Sequence, residues 1–240
     1  MGKFSCCTFF FVFINFVYAK QIAIQNNAES FNSNNLTTSD DDFLEIVYPQ
    51  ILIITDRKFR SFFANEAEVS KYISTYWQAV NEVYSNLTKP QVALNIAGIV
   101  QMDDFAKHNI FLTKSRKKIF QHFNPLNLEF DVAVIMSGED VWNSWLPGTL
   151  GFSINNSACD FPNNLAVVND NGQYKTIIVA AHELAHTFSA QHDCNVNEEN
   201  VMSVLFSGSD DSKEFSICNQ LKMQQFFNSK NASCLLNKPF

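Results

Sequence analysis

Between Gln50 and Thr55 the chain runs Q-I-L-I-I-T, a short unbroken stretch of apolar and β-branched residues. Such a run suits a strand covered on both faces. A different period follows. Apolar side chains at Val69, Ile73, Tyr76, Val80, Val83 and Leu87 alternate steps of four and three, with Pro90 just beyond. That spacing predicts a helix with one buried stripe. Val92 to Val100, Phe130 to Met136 and Leu165 to Val168 read as further strands. Thr113 to Phe123 (T-K-S-R-K-K-I-F-Q-H-F) predicts a short basic amphipathic helix whose lysines form a solvated face. After a turn at Asn171-Gly172, Tyr174 to Ala190 is apolar nearly all round, which predicts a helix buried in the middle of the protein. Phe215 to Asn228 predicts a last helix. Strands alternating with helices imply one α/β domain with a mainly parallel sheet covered on its faces.

The first residues follow another pattern. Lys3 precedes an apolar run from Thr8 to Val17, and Val17-Tyr18-Ala19 offers small residues where a signal peptidase reads. Residues 1–19 are therefore read as a secretory signal peptide. Residues 20–45, rich in Asn, Ser, Thr and acid, are read as a disordered leader, and 46–240 as the folded domain. Beyond the signal no apolar run reaches the roughly 20 residues of a membrane span. Of the six cysteines, Cys6 and Cys7 leave with the signal, and Cys159, Cys194, Cys218 and Cys234 remain. In an exported chain these four predict two disulfides, with three pairings open. Sequons at Asn35, Asn86, Asn155 and Asn231 predict glycosylation and fit the same extracellular compartment. With 46% apolar residues there is ample material for a core, and the net charge of −7 with arginine only at 57, 60 and 116 argues against nucleic acid as a partner.

The chemistry lies in the buried helix, which contains A-A-H-E-L-A-H-T-F-S-A-Q-H-D from Ala180 to Asp193. His182 and His186 stand one helical turn apart, about 6 Å along one face. Two imidazoles so placed can both reach one zinc at about 2.1 Å. Glu183 borders that face without competing as a ligand, so it can accept a proton from a water activated by the metal. Three of the five histidines fall in this stretch. A chance H-E-x-x-H with a further His six residues on arises on the order of once in ten thousand such chains. His108 and His122 lack any such spacing and read as surface residues.

The third histidine makes a geometric demand. On a straight helix His192 would stand about 9 Å and 240° beyond His186, facing away from a metal. The chain must therefore turn between Thr187 and Gln191. Three neutral imidazoles leave one position open, which is a catalytic rather than a structural zinc arrangement.

These residues, followed by N-V-M-S at Asn200 to Ser203, resemble the metzincin zinc proteases. Y-P-Q-I-L-I-I-T-D at Tyr48 to Asp56, the acid Asp193 after the third His, F-S-x-C at Phe215 to Cys218 and C-L-L-N-K-P at Cys234 to Pro239 are similar to the reprolysin (adamalysin) branch. That branch includes snake venom metalloproteinases and the catalytic domains of ADAM proteins. The resemblance covers about residues 46–239. It implies a mostly parallel sheet with one antiparallel edge strand, a buried zinc-binding helix and a small C-terminal subdomain. It also implies His182, His186 and His192 as zinc ligands, Glu183 as general base and Met202 as the Met-turn residue. Leu150 to Ala158 resembles the edge strand that pairs with an extended peptide substrate. By the same resemblance the disulfides are Cys159–Cys234 and Cys194–Cys218, and a calcium site is formed by Asp131, the Cys234 carbonyl and Asn237. Two residues depart from the pattern. Gln50 stands where Glu is typical, which removes one carboxylate from a hard-cation site. Ser189 stands where the family has Gly, at the turn the geometry requires. No cysteine switch is expected in residues 20–45, which hold no Cys, and no disintegrin-like or cysteine-rich domain is expected after Phe240.

The resulting expectation is a secreted, monomeric zinc endopeptidase that cleaves protein or peptide substrates, with architecture suited to a venom or salivary effector. The alternative is an inactive or catalytically weak binding protein of the same fold. Ser189 favours that alternative, and the intact Glu183 speaks against it.

Overall fold

The computed structural model describes residues 44–103, 113–123, 126, 128–139, 149–193, 200–203 and 213–238. In chain order these form β1 (Ile46–Val47), β2 (Gln50–Thr55), α1 (Arg57–Arg60), α2 (Glu66–Tyr84), β3 (Gln91–Val92) and β4 (Asn95–Gln101). Then come α3 (Thr113–Phe123), β5 (Val132–Ser137), β6 (Gly151–Ser153), β7 (Leu165–Asn169), α4 (Ile177–Thr187), α5 (Ile217–Phe227) and a 3₁₀ helix, Lys230–Leu236. The signal segment, residues 20–43 of the leader, His108 and Cys194 lie outside the described residues, Asn35 among the leader's.

Five strands form one sheet in the order β4-β2-β5-β7-β6. All neighbours are parallel except β6, which runs antiparallel to β7 at the edge. The central strands are apolar throughout because both faces are covered. Ile51 and Ile53 of β2 face a core shared with α2 and α4, whereas Leu52 and Ile54 face α3 through Ile119, Phe120 and Phe123. Alternate residues of β5 and β7 divide in the same way. The sheet with its edge strand agrees with the expected architecture.

Several element limits differ from the sequence reading. The strand expected over Val92–Val100 is two strands in two sheets, since β3 pairs with β1 and β4 with β2. The chain changes partners at Ala93–Leu94: Ala93 N–H donates to Val47, Leu94 N–H to the Asn81 side chain at 2.9 Å, and Asn95 N–H to Pro49. The strand expected from Phe130 begins at Val132, because the Asp131 carboxylate takes the Gln50 N–H at 2.8 Å. The edge strand expected over Leu150–Ala158 is only Gly151–Ser153. Past it the N–H groups of Asn156, Ser157 and Ala158 turn away to the carbonyls of His186 and Thr187 at 2.9–3.1 Å. The Thr187 carbonyl ends α4 and takes two of these N–H groups, and the His186 carbonyl takes Asn156 N–H in addition to Ser189 N–H. The basic run of α3 is solvated at Lys114, Lys117 and Lys118, but Arg116 is buried and donates to the Asn163 side chain at 2.7 Å.

Cys159 and Cys234 are joined by a disulfide across 75 residues of sequence. The bond fastens the 3₁₀ helix beside Asp131, whose carbonyl also accepts from Cys159 N–H at 3.2 Å. Cys218 is disulfide-bonded as well; its expected partner Cys194 is outside the described residues. No helix among the described residues is long and apolar enough to cross a membrane.

Candidate metal centre

Helix α4 is shorter than the span expected from Tyr174 to Ala190, and both of its ends are held by side chains that explain the difference. At the start, the buried Asp170 carboxylate accepts from Gly172 N–H and the Tyr72 hydroxyl, each at 2.8 Å, and from the Thr176 hydroxyl. This keeps residues 170–176 as a turn until the helix begins. Tyr76 donates to the Thr176 carbonyl at 2.6 Å and Tyr84 to the Ala181 carbonyl at 2.8 Å. Burial pushes both phenols well above their usual range, so they remain donors. Helix α2 thus fixes the rotation and height of α4 at a residue adjoining His182.

At the other end the chain leaves the helix after Thr187. Ser189 adopts φ 78°, and Ser189 N–H and Ala190 N–H close back on the carbonyls of His186 and Ala185. This is the turn that the spacing of the histidines demanded. A serine in left-handed backbone costs about 1–2 kcal/mol. Phe188, fully buried against Tyr84 and Phe227 with ring centroids 6.0 and 5.3 Å away, anchors the turn on its core side. Beyond it, Asn219 accepts from Gln191 N–H at 2.9 Å, and the Asp193 carboxylate accepts from Ser216 and Asn219 at 2.9 and 3.0 Å. His192 is thereby carried between two fixed neighbours.

The result is a cluster of three imidazoles. Ring centroids of His182, His186 and His192 lie 4.7, 5.3 and 5.0 Å apart pairwise, and one ligand nitrogen from each falls within 4.8 Å of the others. His182 Nδ1 meets the Val201 carbonyl at 2.7 Å, and His186 Nδ1 meets the Ala190 carbonyl at 2.9 Å. A carbonyl only accepts, so both Nδ1 atoms carry the proton, and both Nε2 atoms present lone pairs. Those two Nε2 atoms stand 3.1 Å apart. Burial, foremost, pushes the His182 imidazole down to about 4, with His186 and His192 adding to the shift, and holds His186 below its usual range. Two neutral imidazoles with converging lone pairs and a third beside them form a donor set that fits a divalent zinc ion.

Glu183 lies beside this cluster, buried, and burial pushes its carboxyl up to about 7. The opposing influence is the Ser153 hydroxyl, which donates to Glu183 Oε2 at 2.7 Å. Met202 is fully buried in the segment whose preceding carbonyl, Val201, orients His182; its own carbonyl accepts from Asp193 N–H at 3.0 Å.

Sequence reasoning did not identify Ser153, Asn219 or the carbonyls of Val201 and Ala190. The carbonyls have no side-chain signature at all. Asn219 lay inside a predicted helix, and Ser153 inside the expected edge strand.

Asp131 is buried, its carboxyl pushed up to about 7 by burial, whereas Asn237 is exposed past the 3₁₀ helix. Gln50 turns its side-chain amide to the Tyr48 carbonyl at 3.0 Å. The sequon residues Asn86, Asn155 and Asn231 are exposed.

Comparison with known proteins places this geometry in a family. Residues 70–193 match the family described as Metallo-peptidase family M12B Reprolysin-like. The chain is 26% identical over 214 residues to Venom metalloproteinase 3 of Eulophus pennicornis, covering 78% of this chain and 52% of that protein. It is also 26% identical over 238 residues to "A disintegrin and metalloproteinase with thrombospondin motifs like" of Bombyx mori, covering 81% of this chain and 34% of that protein. The chain thus spans between a third and about half of the length of these relatives. In fold alone it is similar to a chain of the solved "Structure of a chaperone-substrate complex", at TM-score 0.57 and 10% identity, covering 80% of this chain and 40% of that one. The matched family region takes in β4 to β7, all of α4 and the three histidines, more than half of the 240 residues, and the chain belongs to the reprolysin-like metallopeptidase family M12B.

Proposed function

We propose that this chain is a secreted zinc endopeptidase acting on protein or peptide substrates in extended conformation. The observation that carries the reading is the convergence of His182, His186 and His192 beside the buried carboxyl of Glu183. Export is supported by the signal-like residues 1–19, the disulfide and the exposed sequon asparagines. The venom and thrombospondin-motif relatives are compatible with it.

In this reading the three histidines hold zinc through nitrogens made ligating by neutrality, two of them oriented by carbonyls. Zinc supplies Lewis acidity that polarises a carbonyl and acidifies water. Everything else falls to the protein. Strand β6 pairs with β7 along one side, and its other side is the edge to which an extended substrate adds as a further strand. Glu183 accepts the proton of the attacking water and returns it to the leaving amine nitrogen. Burial raises the proton affinity of this carboxyl, which suits it to both roles. Met202 and Val201 form the buried floor that fixes His182. A calcium ion at Asp131, the Cys234 carbonyl and Asn237 would be a separate structural element. The chain acts as a monomer.

The test is digestion of an unfolded protein by the mature chain. Cleavage that is abolished by a chelator and restored by zinc supports the reading, and a zinc-loaded, folded protein that leaves the substrate intact contradicts it.

A further inference from the structure

Gly151 and Ser153 lie two residues apart on β6 and so share the face turned to α4. A Cβ built on Gly151 would stand 2.6 Å from Glu183 Cγ and 2.7 Å from Glu183 Oε1, closer than carbon atoms tolerate. Glycine here therefore allows the edge strand to lie directly against the Glu183 side chain. Two residues on, the Ser153 hydroxyl donates to Glu183 Oε2 at 2.7 Å. The strand whose outer edge faces substrate thus grips the base by two adjoining positions, one by close approach and one by a hydrogen bond.

We propose that Ser153 is a positioning residue for Glu183: its hydroxyl holds Oε2 and, with the close approach of Gly151 to Oε1, fixes the plane of the carboxylate. The inference rests on the endopeptidase reading above. Without the hydroxyl the carboxylate can rotate, and the fraction of time it spends in the reacting orientation falls. Because β6 also forms the substrate edge, substrate pairing would tighten the strand carrying Ser153 and so firm the grip on the base. An effect on turnover rather than on substrate binding is the signature of such a role.

The experiment uses the full mature chain, zinc-loaded, with a quenched fluorescent peptide. Ser153→Ala lowers kcat about tenfold while KM and zinc content stay within about twofold, as expected for loss of a hydrogen bond to a charged group. Ser153→Thr, which keeps a hydroxyl and suits a strand, recovers kcat to within about threefold of wild type. A second readout needs no metal and no activity: the melting-temperature shift of Ser153→Ala shrinks by more than half when Glu183 is already replaced in Glu183→Ala. Unchanged kcat in Ser153→Ala, with Glu183→Gln inactive, overturns the positioning role and leaves the endopeptidase reading standing. Wild-type hydrolysis by Glu183→Gln overturns the positioning role together with Glu183 as the base, whereas a folded, zinc-loaded wild type that cleaves nothing overturns the endopeptidase reading.

Discussion

The Nδ1 of His186 meets the carbonyl oxygen of Ala190 at 2.9 Å, so the turn that ends α4 also orients one of its imidazoles. Between them stands Ser189 at φ 78°. The strained residue, the imidazole and the return of the chain to His192 are therefore one unit.

Ser189→Gly relieves that strain. Glycine adopts the left-handed conformation freely, at the cost of a more flexible unfolded chain. The metal-free protein is expected to gain about 1 kcal/mol of stability in thermal unfolding. Its peptidase rate should stay within about threefold of wild type, since the turn is already formed. An inert wild type that Ser189→Gly switches on would favour the inactive binding protein instead.

Metal content follows from the imidazole cluster. Elemental analysis of the purified mature chain should give close to one zinc per molecule, and His186→Ala should give well under one. Equal zinc in the two proteins would remove the histidine cluster as the metal site.

Asp131 sets a pH dependence unrelated to the zinc cluster. Its folded-state value of about 7 lies far above the ordinary carboxylate range, and burial is the cause. Between pH 4 and 7 the folded protein keeps this proton while the unfolded chain has lost it. Asp131 therefore costs stability progressively as pH rises through that window, by about 3–4 kcal/mol in full, and the cost is constant above it. Denaturant unfolding in a chelator should show Asp131→Asn gaining on wild type from pH 4 to 7; parallel curves would contradict the assignment. Added calcium at pH 8 tests the cation site directly: a rise in Tm in wild type that is missing in Asp131→Asn assigns calcium to Asp131.

The disulfide between Cys159 and Cys234 closes 75 residues. The chain-entropy relation gives such a loop about 4 kcal/mol. Cys159→Ala/Cys234→Ala should lower the unfolding free energy by an amount of that order. An unchanged Tm would mean that the contacts of the 3₁₀ helix with the core, through Ala232 and Leu235, suffice without the bond.

Much of the fold was legible because burial leaves a period in sequence. The strand Gln50–Thr55 was read with both limits right, since a chain covered on both faces is apolar without interruption. The need for a turn after Thr187 was legible too, from helical geometry and the place of His192 alone. Where main-chain groups decide the outcome, sequence was silent. The edge strand stops at Ser153 because the next N–H groups serve the carbonyls that end α4, and β3 separates from β4 at a hydrogen bond to Asn81. Arg116 carried no sequence signal that set it apart from the solvated lysines of K-S-R-K-K, and only the packed structure shows it turned inward to Asn163.

If Glu183 moves the proton in a zinc-dependent hydrolysis, removing its charge while keeping its shape must stop turnover and spare the metal. Zinc-loaded wild type and Glu183→Gln are compared for cleavage of an unfolded polypeptide, with zinc content and fold measured on the same samples. The expected result is equal zinc, unchanged secondary structure and a loss of turnover of about 10²–10⁴-fold, the usual contribution of a positioned base. Wild-type turnover in a zinc-replete Glu183→Gln protein would contradict it.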